Sequence, residues 1–386
     1  MQKKTFTLIF LLMLLGVSNI AYAQLDTKMN SKPKKYYHSL EVSMENGAML
    51  SNDTEFGDQI VNSSYYNGFN LQYGWSKNDP EDTYNRSYRH PTLGLGWYAA
   101  TFHSAEVGYP NALYFFMTMP FTWEANKKWT GSYTGAFGLS YNFNPYDSIN
   151  NPTNVFLGSY RNCYLHLSYN LNYHFNNKFS AFGSLGFTHF SNGSFKLPNS
   201  GINLVPLTIG AKYRFTNKPV ERPTSPLEPF IQHGQVNVML AFGSKNYNVG
   251  EPNYLKMTLG VNYLRQISYK YRMGLGMDFF YAAESDLRFA EVDDRSDFSK
   301  SVSYAVVGSW EWVVTRTVFV PIGLAWYLHR NPENGEREKF YERVGLRFRI
   351  KDHFNTGVTI KAHGGVADMF EWTVAYTFHN DPNKYR

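Results

Sequence analysis

"RNCYLHLSYNLNYHF", Arg161 to Phe175, alternates without a break. Cys163, Leu165, Leu167, Tyr169, Leu171, Tyr173 and Phe175 fall on one side, and Asn162, Tyr164, His166, Ser168, Asn170, Asn172 and His174 on the other. Successive side chains of a strand point to opposite faces, so a period of two predicts a strand with one apolar and one hydrated face. Asn and His run the whole length of the polar side, which suits a wet interior better than the edge of a thin sheet.

The same design recurs. "KWTGSYTGAFGLSYNF" (128–143) sets Trp129, Tyr133, Phe137, Leu139, Tyr141 and Phe143 against Thr130, Ser132, Thr134, Ser140 and Asn142. "YRMGLGMDFFY" (271–281) sets Met273, Leu275, Met277 and Phe279 against Arg272 and Asp278. "YERVGLRFRI" sets Val344, Leu346, Phe348 and Ile350 against Arg343, Arg347 and Arg349. "FEWTVAYTF" sets Phe370, Trp372, Val374, Tyr376 and Phe378 against Glu371, Thr373, Ala375 and Thr377.

Residues 1–23 read as a secretory signal, with Lys3 and Lys4 before an apolar run and "AYA" at the cleavage point. The single cysteine, Cys163, excludes an internal disulfide framework and a lipid-anchoring cysteine after the signal. Lys and Arg number 37 against 31 Asp and Glu, a formal +6 of which Lys3 and Lys4 supply two. That surplus is too small to argue for nucleic acid. The chain is rich in aromatics, with 30 Phe, 30 Tyr and 8 Trp, yet its mean hydropathy is −0.41. After Ala23 no stretch approaches the roughly 18 apolar residues of a membrane helix.

Two all-β folds satisfy these facts: a soluble sandwich and a transmembrane antiparallel β-barrel. Long strands, aromatics crowded at strand ends, and alternation of short with long connections favour the barrel and the bacterial outer membrane. Short turns include 176–178, 267–270, 315–317 and 351–353; long loops include 144–160, 284–300 and 331–338. The expected count is about 16 strands within a range of 12–16, with "KNDPEDTYNRSYRH" (77–90) breaking the rhythm. "TNKPVERPTSPLEP" (216–229) holds four prolines and is not a membrane strand. It is either a long periplasmic turn within one large barrel or a linker between two eight-stranded halves. The absence of a clear internal repeat favours one large barrel. The expected organisation is a signal at 1–23, an N-terminal half at 24–215, the linker at 216–229, a C-terminal half at 230–380 and a tail at 381–386.

On this frame "KFSAFGSLGFTHFSN" (178–192) puts Phe179, Ala181, Leu185 and Phe187 on the lipid side, followed in phase by His189 and Ser191. The next strand, "NLVPLTIGAKYRF" (203–215), puts Asn203 on the lipid side with Val205, Leu207 and Ile209. A histidine within reach of a serine, with a third group to orient the imidazole, is the logic of an activated nucleophile. His166 and Ser168 share the spacing but face inward and read as lumenal filling.

"HFSN" followed by "KLPNSGIN" resembles the motif of the outer-membrane lipid A 3-O-deacylases, the acyloxyacyl-hydrolase-like family; the likeness is strongest over Gly186 to Phe215. "GLRFRIKDHFNTGVTIKAHGGVADMFEWTVAYTF" is similar to the long form of that family in Bacteroidetes-type bacteria. The resemblance implies hydrolysis of an acyl ester of lipid A in lipopolysaccharide, with Ser191 as nucleophile and His189 as general base. It implies an oxyanion region near Asn192, Gly193 and Asn199, the last by its side chain. The family carries a glutamate where this chain has Asn203. An amide oxygen can receive the imidazole N–H but cannot neutralise an imidazolium, which predicts a lowered rate.

No metal or organic cofactor is implied. The expected partners are lipopolysaccharide, the bilayer and the barrel-assembly machinery, with no nucleic acid. The rival reading is a non-enzymatic barrel, either a passive channel or a structural protein. Arg343, Arg347 and Arg349 would line an anion-selective pore in the first case; pairing with lumenal acids such as Glu371 is the plainer expectation. The acidic stretch Glu284 to Asp297 lacks the spacing of a calcium loop and reads as a solvated outer loop.

Overall fold

The computed structural model describes residues 36–77, 79, 82–122, 127–218, 223, 226–283 and 298–381. The signal segment and the acidic stretch 284–297 lie outside them. The first eight strands are β1 (Tyr36–Leu50), β2 (Tyr66–Lys77), β3 (Thr92–Thr101), β4 (Gly108–Pro120), β5 (Trp129–Phe143), β6 (Asn162–His174), β7 (Phe179–Ser191) and β8 (Ile202–Arg214). The next eight are β9 (His233–Lys245), β10 (Tyr254–Gln266), β11 (Tyr271–Ala282), β12 (Val302–Val313), β13 (Val318–His329), β14 (Phe340–Arg349), β15 (Phe354–His363) and β16 (Val366–His379).

These strands close two separate antiparallel barrels, β1–β8 and β9–β16. β1 pairs with β8 from Ser39↔Arg214 to Leu50↔Asn203, and β9 pairs with β16 from Gln235↔His379 to Gly243↔Glu371. The proline-rich segment therefore joins two barrels; the single large barrel that the sequence favoured is not formed. Each barrel has an even strand number and no free edge, which removes unpaired backbone from contact with lipid. Among the described residues no helix is long and apolar enough to cross a membrane.

The rhythm of connections is looser than expected. Among its described residues the 78–91 connection has no strand; it carries a short helix, Thr83–Ser87, capped by Asp82. Apolar residues face outward along the walls, as with Leu165, Leu167, Tyr169 and Leu171 on β6 and Leu207 and Ile209 on β8. At the end away from the β7–β8 loop, tilted rings crowd together within and between strands. Trp129–Tyr173, Phe179–Tyr213 and Tyr376–Phe378 lie 4.8, 4.9 and 4.7 Å apart. This is the interfacial girdle of a membrane barrel.

One residue changes sides. Phe143 was expected on the lipid face, but it is buried inside the first barrel. Asn142 adopts a left-handed φ of 70° at the strand end, and the turn it makes swings the next side chain inward. There Phe143 meets Phe190 at 5.2 Å, and with Tyr98, Tyr114, Tyr164 and Phe156 it fills the outer half of the lumen. Below this plug the lumen is polar, lined by Ser132, His166, Asn170, Asn172 and His174 among others. His166 and Ser168 both line it.

The second lumen is crossed by buried charged side chains. Arg343 holds Asp278 and Glu371, and Arg272 holds Glu311 at 2.8 Å. Coulombic attraction within these pairs offsets part of the cost of taking the ions out of water. Its outer mouth is covered by the β13–β14 loop, where Lys256 Nζ donates to Asn334 O at 2.6 Å and Ser303 donates to Glu336 at 2.5 Å.

Candidate active site

His189 and Asn203 stand directly opposite each other on β7 and β8, and Ser191 stands opposite Cys163 of β6. All three site residues project from the outer wall near the β7–β8 loop. Alternation explains the phase: Thr188 and Phe190, their neighbours on β7, are buried inward, and Phe190 anchors the strand in the aromatic plug. Shifting β7 by one residue would turn His189 and Ser191 into that plug.

The three side chains touch. His189 Nε2 lies 2.9 Å from Ser191 Oγ, and His189 Nδ1 lies 2.6 Å from Asn203 Oδ1. An amide oxygen only accepts, so Nδ1 carries the proton and donates it to Asn203. Nε2 is then the bare nitrogen and accepts from the Ser191 hydroxyl. That tautomer is the one a general base for Ser191 requires. Ser191 is buried, whereas His189 and Asn203 are half-buried.

The β7–β8 loop packs over this trio. Gly201 has φ +78°, and a Cβ there would stand 2.7 Å from His189 Cε1. Glycine is required both for the turn and for the backbone to pass beside the imidazole. Gly193 is likewise left-handed, at φ +60°. The three oxyanion candidates are brought together, with distinct tasks. Asn199 Oδ1 receives the Asn192 main-chain N–H at 2.9 Å, so that N–H is already engaged. The Asn192 side chain stitches the loop, donating to Ser159 Oγ at 3.0 Å and Lys196 O at 2.8 Å.

Sequence reasoning missed the role of Gly201, although "PNSGIN" placed a glycine two residues before Asn203. It also missed contacts of this loop with the second barrel, for which a single sequence carries no signal. Among the described residues no group of three His, Cys, Asp or Glu side chains is disposed to hold a metal.

Two sealed antiparallel barrels with apolar walls and aromatic girdles define a bacterial outer-membrane protein. Residues 234–380, which form its second barrel, match the family model described as acyloxyacyl hydrolase, C-terminal domain. The match falls on the barrel opposite the one that carries His189 and Ser191. Among solved structures, the outer membrane enzyme PagL is 18% identical, with a TM-score of 0.31 over 44% of this chain and 97% of its own. The translocator domain of the autotransporter NalP from Neisseria meningitidis is 10% identical over 95% of this chain and 97% of its own, with a TM-score of 0.17. The β domain of the Bordetella autotransporter BrkA is 10% identical over 89% and 99%, with a TM-score of 0.24. No curated protein matches the chain.

Proposed function

We propose that this protein is a lipid A deacylase that removes an ester-linked acyl chain from lipopolysaccharide by serine chemistry on its outer wall. The observation that carries the reading is the chain of bonds from Asn203 through His189 to Ser191, 2.6 and 2.9 Å long, on a lipid-facing surface. The family match of the second barrel agrees with an acyl ester hydrolase.

The steps follow from the tautomer. Ser191 Oγ attacks the ester carbonyl as its proton passes to His189 Nε2. The resulting oxyanion is met by Gly193 N–H and the Asn199 amide. Nε2–H then protonates the departing sugar alcohol, leaving the acyl group on Ser191. Water, deprotonated by the same Nε2, releases the fatty acid and restores the serine. Donors fixed in place before the reaction are the larger part of such catalysis. The substrate reaches the site by lateral diffusion, and Leu185, Phe187, Val205 and Leu207 offer an apolar track for its chain.

A passive channel is the weaker reading, because aromatic side chains fill the outer half of one lumen and ion pairs fill the other. The test is the lipid A mass spectrum of cells expressing wild type or Ser191→Ala. Loss of one acyl group with wild type only is expected. Equal deacylation by Ser191→Ala refutes the assignment of the nucleophile.

A further inference from the structure

The β7–β8 loop reaches past its own barrel. Ser194, held at φ +58°, donates Oγ to Ala367 O at 2.7 Å. Its carbonyl receives the Asn246 main-chain N–H at 2.9 Å. The Asn246 side-chain oxygen receives the Leu197 N–H at 3.3 Å. Beside them a Cβ on Gly193 would strike the ring of Phe370. Asn246 and Ala367 stand just beyond the last β9–β16 rung, Gly243↔Glu371. β9 and β16 are the first and last strands of the second barrel, so their seam is where that barrel shuts.

The seam is braced directly below the contact. Lys245, next to Asn246, is ion-paired with Asp368, next to Ala367. Lys361 and Lys256 also lie 3.3 and 3.7 Å from Asp368, and all four side chains are buried. Ser194 thus continues the ladder of one barrel with a residue of the other. On the near side of this anchor lie Gly193 and Asn199, the donors assigned to the oxyanion.

We infer that the closing seam of the second barrel is a positioning element of the hydrolytic site, with Asn246 and Phe370 fixing the loop that presents Gly193 and Asn199 to the ester. The inference rests on the deacylase reading. Neither residue touches the reacting atoms; each acts through the loop. Donor placement tolerates little error, since a misplacement of about 1 Å can cost roughly a hundredfold in rate.

The test uses the full chain folded in lipid. Asn246→Ala and Phe370→Ala should each lower kcat about ten- to a hundredfold with KM little changed. Asn246→Asp, which keeps the oxygen facing Leu197 N–H, and Phe370→Tyr, which keeps the ring, should recover most of the loss. A second readout needs no turnover: amide hydrogen exchange over residues 193–197 should quicken at least tenfold in both alanine variants, with exchange in β1–β6 unchanged. Alanine variants with wild-type kcat and wild-type exchange overturn the inference and leave the deacylase reading intact. A wild type that exchanges slowly in this loop but removes no acyl group overturns the deacylase reading, while quickened exchange in the variants still establishes the seam as the loop's anchor.

Discussion

Asn203→Asp should make the enzyme faster. The wild-type amide aligns the imidazole at 2.6 Å but brings no charge to the imidazolium that forms when Ser191 attacks. A carboxylate in its place sits roughly 4 Å from the centre of that positive charge. At an effective dielectric of ~20 the attraction is about 4 kcal/mol. Asn203 is half-buried beside lipid, so desolvation of the new carboxylate takes back part of it. A net gain of about 1.4–2.7 kcal/mol remains, equivalent to roughly ten- to a hundredfold in kcat. Aspartate also accepts only, whereas an amide can turn and offer its NH2 to Nδ1, which would leave Nε2 protonated and useless as a base. The assay is release of fatty acid from lipid A in mixed micelles, under single-turnover conditions, for wild type, Asn203→Asp and Asn203→Ala. The alanine variant, with no partner for Nδ1, should be slower than wild type. A folded Asn203→Asp no faster than wild type, together with a folded Asn203→Ala equal to it, would refute the role of position 203.

Three further outcomes are expected. Gly201→Ala should lower deacylation at least tenfold in a barrel that still inserts, because the added methyl meets His189 Cε1 and the left-handed backbone resists a side chain; fatty acid release beside gel mobility measures both. Arg343→Ala should destabilise the second barrel by about 3–5 kcal/mol, since Asp278 and Glu371 would be left buried without their cation. A fall in the temperature at which the folded band converts on a detergent gel reports it. Deacylation should decline as pH drops, because a protonated Nε2 cannot accept the Ser191 proton; the initial rate measured across buffers at constant ionic strength shows this limb.

Strand existence and facing were legible because lipid on one side and water on the other impose a strict period of two. His189, Ser191 and Asn203 could be placed on one wall by parity alone. Closure was not legible. Whether β8 returns to β1 or continues to β9 depends on stagger between strands far apart in sequence, and the proline-rich segment fits either. Phe143 was misplaced because a single left-handed residue, Asn142, reverses parity without any mark in the alternation. The meeting of Ser194 with Asn246 and Ala367 depends on how two finished barrels stand together, which no local pattern encodes.

The packing of Tyr98, Tyr114, Tyr164, Phe143 and Phe190 across the first barrel, and the ion pairs across the second, bear on the cell as well as on the molecule. A membrane that exists to keep detergents and antibiotics out is weakened by every open conduit placed in it. A protein that works from its outer flank and keeps both bores stoppered can be made in large numbers without eroding that defence.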